Sequence, residues 1–159
     1  MGQVKTNAMR ILDAKGIPYQ AMNYDTRDGK IDGLSVAQKV GRDPKTVYKT
    51  LVTQGSRGNI YVFVIPVESE LDLKKAAAAA GEKKIEMIPV KDILKWTGYI
   101  RGGCSPIGMK KSYPTYIEQE ALNLENIVVS GGKIGIQIDL KVEDLQKVTG
   151  AKTGNFLKS

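Results

Sequence analysis

The sequence predicts a single α/β domain built on a mixed, barrel-like sheet flanked by helices. Three observations predict it. The chain has 159 residues, 42% of them hydrophobic, which fits one domain with one core. Apolar, β-branched runs alternate with stretches at helical spacing, so hairpins and crossovers are mixed. No repeat or linker divides the chain, and the domain is expected to span residues 1–159.

Val4, Ala8, Ile11 and Leu12 recur at helical spacing and predict a helix over 4–15. Gly16 ends it and Pro18 prevents its return. Tyr19 to Tyr24 reads as a short strand, and the polar residues 25–33 as a loop of functional size. Ser35 is the expected cap of a helix carrying Val36, Ala37 and Val40, which stops at Gly41. Asp43-Pro44 starts a short helix that delivers Val47-Tyr48-Lys49 into the next strand. Thr50–Thr53 and Ile60–Val67 flank residues 54–59 as a hairpin. Ser69-Glu70-Leu71-Asp72 resembles a capping box with Asp as its acid, opening a helix through the alanine run to Gly81. Ile85–Met87 is a short strand, and Pro89 opens a helix to about Trp96. Tyr113–Ile117, Ile127–Ser130 and Gly135–Leu140 read as strands, with Gly131-Gly132 a tight turn or strand end. Residues 141–149 close the chain as a helix.

The charge balance is 24 Lys and Arg against 17 Asp and Glu, a net +7. That excess attracts polyanions, or it is simply a lysine-rich surface. The pairs Lys74-Lys75, Lys83-Lys84 and Lys110-Lys111 are scattered rather than gathered into a basic tail. No run is long enough to span a bilayer, the first five residues hold no apolar signal core, and Cys104 is the only cysteine. An intramolecular disulfide is therefore excluded, and the expected location is the cytoplasm. Nothing matches a phosphate-binding Walker loop or a dinucleotide fingerprint.

The chain contains no histidine. That removes Ser-His and Cys-His nucleophiles and any His-based metal site, so no metal or cofactor is expected. Chemistry must come from backbone donors, lysine, carboxylates, hydroxyls or the substrate itself. Gly102-Gly103-Cys104-Ser105-Pro106-Ile107-Gly108 is a loop whose adjacent glycines let N–H groups approach an anion or a developing oxyanion. Lys49, inside the apolar stretch Val47–Val52, either points to solvent, the commoner outcome, or carries its ammonium into a cleft. Ser130-Gly131-Gly132-Lys133 is either an ordinary turn or one that exposes the Ser130 hydroxyl and backbone donors. Cys104 lacks a base to activate it and suits a small packed hydrophobe. Ser105, before proline, is a structural residue on this reading. Tyr24, Tyr48 and Tyr99 read as packed aromatics rather than catalysts, and Tyr24, beside the polar loop, is the one to test for a ligand contact.

Taken together, three blocks resemble the YbaK family of aminoacyl-tRNA deacylases, which is related to the editing domain of bacterial prolyl-tRNA synthetases. The blocks are Val47–Leu51, Gly98–Gly108 and Val129–Gly135, with Leu71-Asp72-Leu73-Lys74-Lys75 as a further match, in an order that covers nearly the whole chain. The resemblance implies a mostly antiparallel barrel-like sheet and a free-standing trans-editing enzyme, most like the branch that deacylates Cys-tRNA(Pro). It implies catalytic roles for Lys49, Gly102 and Gly103, and substrate contacts from Tyr24, Ser130, Gly131, Gln137 and Cys104. It also implies that the substrate's own sulfur attacks its ester carbonyl, giving a thiolactone. Implied partners are aminoacylated tRNA(Pro), with tRNA(Cys) as a second candidate, and prolyl-tRNA synthetase in a weak complex, with no membrane and no DNA. The alternatives are a water-using deacylase for Ala-tRNA(Pro) or another small amino acid, and a non-catalytic tRNA- or synthetase-binding module. Two positions depart from the pattern. Gln137 stands where some relatives carry Asp, and Ile31-Asp32-Gly33 stands where some place an aromatic residue.

Overall fold

A computed structural model describes residues 5–159. Val4, read as the first helical position, lies outside the described residues together with most of the leading segment. The first helix, α1, runs Asn7–Ala14, with the Thr6 hydroxyl accepting from the Met9 N–H as its cap. Strand β1 is Gln20–Asn23. Helix α2 is Gly33–Lys39, and its cap is the Asp32 carboxylate, which accepts from Ser35 N. Ser35 is thus inside the helix rather than its cap. Asp43 opens a single 3₁₀ turn, Pro44–Thr46.

That turn feeds β2 (Tyr48–Gly55), which pairs antiparallel with β3 (Ile60–Pro66) as the hairpin. Helix α3, Leu73–Ala80, is capped by Asp72, whose carboxylate accepts from both Lys74 N and Lys75 N. The acid of the expected capping box is therefore the cap itself, because a carboxylate can satisfy two first-turn donors at once. Strand β4 is Ile85–Met87 and α4 is Ile93–Thr97, preceded by a 3₁₀ turn over Val90–Asp92. Strands β5 (Thr115–Glu118), β6 (Asn126–Lys133) and β7 (Ile136–Lys141) lead into α5 (Val142–Thr149). A short β8, Lys152–Gly154, was not expected from the sequence.

The strands form two mostly antiparallel sheets, ordered β1-β7-β6 and β4-β2-β3-β5-β8. Only β3–β5 and β5–β8 are parallel pairs. The sheets meet where Val47 bridges Val128. The expected barrel is thus two open sheets rather than a closed one. Three-residue edge strands, β4 and β8, finish the larger sheet and offer little to a foreign strand. Every residue of β3 is buried, because helices and the second sheet cover both its faces.

One core lies between α1, α5 and the smaller sheet, with Leu12, Ile127, Ile138 and Leu145 fully enclosed. A second lies under α3, where Ala76 and Ala77 sit beside Phe63, Tyr116 and Phe156. Their small side chains let α3 approach that aromatic group. Buried Glu118 ties down the C-terminal segment by accepting from Phe156 N at 2.8 Å.

Two glycine-rich segments meet at one end of the sheets. Strand β6 continues through Gly131 and Gly132 to Lys133, with a bulge after Ser130. A Cβ on Gly103 would stand 2.8 Å from Ile134 N and 3.0 Å from Lys133 Cα, so only glycine lets the two backbones touch. The N-terminal end of α1 clamps both segments. The Thr6 hydroxyl donates to the Gly131 carbonyl, and Asn7 Nδ2 donates to the Gly108 carbonyl at 2.7 Å.

Removing the first clamp leaves a buried carbonyl unpaired and strips the α1 cap. Thr6→Val is expected to lose about 1–3 kcal/mol in urea denaturation. A change within about 0.5 kcal/mol, typical of a surface substitution, would show that the clamp contributes nothing.

Candidate active site

Lys49 enters the site because of what precedes it. The Asp43 carboxylate accepts from Lys45 N at 2.9 Å and fixes the turn. Val47 then bridges the two sheets, and its carbonyl accepts from Val67 N at 2.9 Å. The next two residues start β2 at this seam. Lys49 pairs with Ile65, and its side chain is half-buried.

Across the seam, Ser130 and Gln137 are partners in the β6–β7 ladder, which puts their side chains on one face. The Ser130 hydroxyl accepts from Gly132 N at 3.2 Å and so shapes the bulge. The loop from Gly98 to Gly108 closes the third side, with Gly102 at a left-handed φ of 86°. A Cβ at Gly102 would stand 3.1 Å from Ile31 Cδ1 and 3.4 Å from Ile134 Cγ1.

These pieces enclose a cleft of about 150 Å³. It is lined by Tyr24, Ile31, Lys49, Thr50, Gly102, Cys104, Ser130 and Gln137 over an apolar floor of Val36, Val47 and Val67. The volume is below the roughly 300–1,000 Å³ of cavities that swallow a drug-sized ligand. It suits a small group rather than a whole drug-sized ligand. No carboxylate or imidazole lines the cleft.

The electrostatics point the same way. Burial pushes the Lys49 ammonium below the usual lysine range, with Glu70 opposing this more weakly. Among the described residues its Nζ makes no ion pair. The Tyr24 hydroxyl and Thr50 Oγ1 are both buried without a hydrogen-bond partner, and both residues line this cleft. An unmet buried donor or acceptor costs about 1–3 kcal/mol. Two of them beside a desolvated cation are what a polar ligand would satisfy.

Six of the eight residues singled out in the sequence line this one cleft: Tyr24, Lys49, Gly102, Cys104, Ser130 and Gln137. Gly103 and Gly131 are not among its lining residues. The Gly103 N–H donates to Ile100 O at 3.0 Å, which removes it as a free donor, while Gly102 and Cys104 line the cleft. Gly131 gives up its carbonyl to Thr6, and a Cβ there would stand 2.7 Å from Ile136 Cγ2. Both glycines serve packing. Thr50 was missed because neighbours on a strand alternate sides, so placing Lys49 in a site argues against its neighbour. Ile31, from the Ile31-Asp32-Gly33 segment, also lines the cleft. Ser105 is wholly buried and accepts from Ile107 N at 3.2 Å, a structural residue as expected.

Cys104 is not an activated nucleophile. Burial pushes its thiol up to about 11.

A cation, glycine backbone and unsatisfied hydroxyls around one small cleft make it suited to a small polar group. Comparison with known proteins makes that class particular. The model of the aminoacyl-tRNA editing domain family matches residues 34–148. An Enterococcus faecalis protein named "Putative Cys-tRNA(Pro)/Cys-tRNA(Cys) deacylase EbsC" is 46% identical over 150 residues, covering 94% of this chain and 92% of that one. The proline–tRNA ligase of Thermosipho melanesiensis is 28% identical over 116 residues, 69% of this chain and 20% of the ligase. A solved structure described as a "putative trans-editing enzyme for prolyl tRNA synthetase" shares the fold, with a TM-score of 0.86 at 22% identity, covering 99% of this chain and 100% of that one. The chain belongs to the aminoacyl-tRNA editing domain family. No helix among the described residues is long and apolar enough to cross a membrane.

The raised thiol predicts slow labelling of Cys104. A pKa near 11 leaves about a hundredfold less thiolate at neutral pH than a free cysteine has. Reaction with a disulfide reagent should be at least that much slower in the folded protein than in urea, read by thiolate release. Labelling at equal rates in both states would show that burial does not suppress the thiolate.

Proposed function

We propose that this protein is a free-standing deacylase that removes cysteine from Cys-tRNA(Pro). The observation that carries the reading is a cleft with a desolvated, unpaired ammonium and backbone donors but no carboxylate or imidazole to activate water. Such a site needs a substrate that brings its own nucleophile. The sulfur of an esterified cysteine attacks the ester carbonyl carbon, and the C–O bond to the terminal ribose breaks. A four-membered thiolactone forms, and the thiol proton ends on the released ribose oxygen. Holding both ends of this reaction in one small cleft supplies proximity. The N–H groups of Gly102 and Cys104 and the Lys49 ammonium face the carbonyl oxygen as charge develops on it. Tyr24, Thr50 and Ser130 hold the amino acid, and the neutral Gln137 keeps hydrogen bonding without adding a base.

The 46% identity to the Enterococcus faecalis protein supports the choice of substrate class. Synthetase pockets separate near-isosteric amino acids poorly, which is the reason for a second hydrolytic sieve. Nothing in so small a cleft reads the rest of a tRNA. We therefore assign discrimination between tRNA(Pro) and tRNA(Cys) to prolyl-tRNA synthetase, in a weak complex formed in the cytoplasm.

Two measurements test the reading. Lys49→Ala should lower the rate of cysteine release from Cys-tRNA(Pro) by about 10²–10³, the usual cost of one oxyanion donor. Ser-tRNA(Pro), which lacks the thiol, should be cleaved far more slowly than Cys-tRNA(Pro). Equal rates for serine and cysteine would reject sulfur attack, and no release from freshly charged Cys-tRNA(Pro) would reject the function.

A further inference from the structure

The cleft is too small for a nucleotide, so the rest of a tRNA end lies across its mouth, and the mouth has a charge pattern of its own. Three loops converge beside the cleft, which Ile31 and Gly102 line. Gly102 faces Ile31 and Ile134 side chains, Gly103 rests on Lys133 and Ile134, and the Tyr24 N–H donates to Gly135 O at 2.9 Å. Each loop carries one exposed cation beside a residue of this contact: Lys30 next to Ile31, Arg101 next to Gly102, and Lys133 next to Ile134. None of the three takes part in an ion pair among the described residues.

The acids nearby are already engaged. Asp25 pairs with Arg27 at 2.9 Å, Asp28 pairs with Lys39 at 2.7 Å, and Asp32 caps α2. Lys39 Nζ also donates to the carbonyls of Asp25 and Lys30, which fixes the first loop in shape. The other two loops are free of acids: no carboxylate occurs between Asp92 and Glu118, or from Asn126 to Ile138. Three uncommitted cations on rigid loops around a cleft form a cradle for a chain of phosphates.

We propose that Lys30, Arg101 and Lys133 form a rim that grips the phosphates of the single-stranded 3′ end of the tRNA, just upstream of the terminal aminoacyl nucleotide. The proposal rests on the tRNA reading above and adds where the polynucleotide lies. The rim binds the backbone and is indifferent to bases, as phosphate contacts are. It sets the register in which the aminoacyl group drops into the cleft.

The test uses binding of uncharged tRNA, followed by fluorescence anisotropy across a salt series. Its substrates are intact tRNA(Pro) and the same tRNA trimmed of its terminal CCA. Each of Lys30→Gln, Arg101→Gln and Lys133→Gln should flatten the salt dependence on intact tRNA by about 0.7 in slope, and weaken binding about fivefold at 0.1 M salt. The trimmed tRNA should bind all variants and the parent protein alike. Lys152→Gln, in β8 at the far edge of the larger sheet, should change neither. The rim is refuted if the triple variant keeps the parent slope on intact tRNA, if both tRNAs weaken equally, or if Lys152→Gln matches the rim variants. Turnover plays no part in this readout. A protein that shows the slope changes but releases no cysteine keeps the rim and loses the deacylase reading, and one that releases cysteine with unchanged slopes does the reverse.

Discussion

The site depends on one contact, the meeting of two main chains at Gly103 and Lys133–Ile134. Backbones approach this closely only where a side chain is missing, and the contact turns two flexible glycine segments into opposing walls. It holds because α1 ties down both partners, through Thr6 to Gly131 and through Asn7 to Gly108. Each tie occupies a carbonyl that has no strand partner there. The helix nearest the N-terminus thus fixes residues roughly a hundred positions away in the sequence. The glycines that resemble a catalytic signature divide their work: Gly102 faces the cleft, while Gly103 and Gly131 make it possible for the walls to exist.

The cleft stores its binding capacity as unmet interactions. Lys49 is partly desolvated with only the weaker opposing field of Glu70 and no ion pair among the described residues, and two hydroxyls are buried without partners. Folding alone would favour pairing or exposing these groups. Their persistence requires the surrounding structure to over-determine them, which the sheet seam at Val47 and the clamped glycine walls do. A ligand that supplies an oxygen to the ammonium and partners to the hydroxyls recovers what folding left unused. A site poor in bases but rich in donors is built to stabilise negative charge, not to create a nucleophile. That division of labour matches a substrate whose own side chain attacks.

Charge is divided in the same way between inside and outside. Lys49 is the one cation among the residues that line the cleft, and exposed Lys30, Arg101 and Lys133 lie on three separate loops next to residues that meet beside it. The net charge of +7 is therefore not evenly spread in its consequences. Where acids accompany lysine, as in the loop from Asp25 to Asp32, they are consumed by local pairs and a helix cap. Where acids are missing, the cations stay available to a polyanion.

The sequence by itself determined the α/β class, most elements and six of the residues that line the cleft. Helical and strand spacings, turn glycines and the absence of histidine are local properties, and each leaves its mark on nearby residues. It misplaced the caps of α2 and α3, where the Asp32 carboxylate accepts from Ser35 N and the Asp72 carboxylate from both Lys74 N and Lys75 N. It missed β8, a three-residue strand whose only reason to exist is the exposed edge of β5. The structure decided that the sheet opens into two, that Thr50 and Ile31 join the cleft, and that the Gly103 N–H is already spent. Those outcomes depend on contacts between residues far apart in the chain. A sequence states which side chains are present, but which donors remain unpaired is settled only when the fold has assigned partners to all the others.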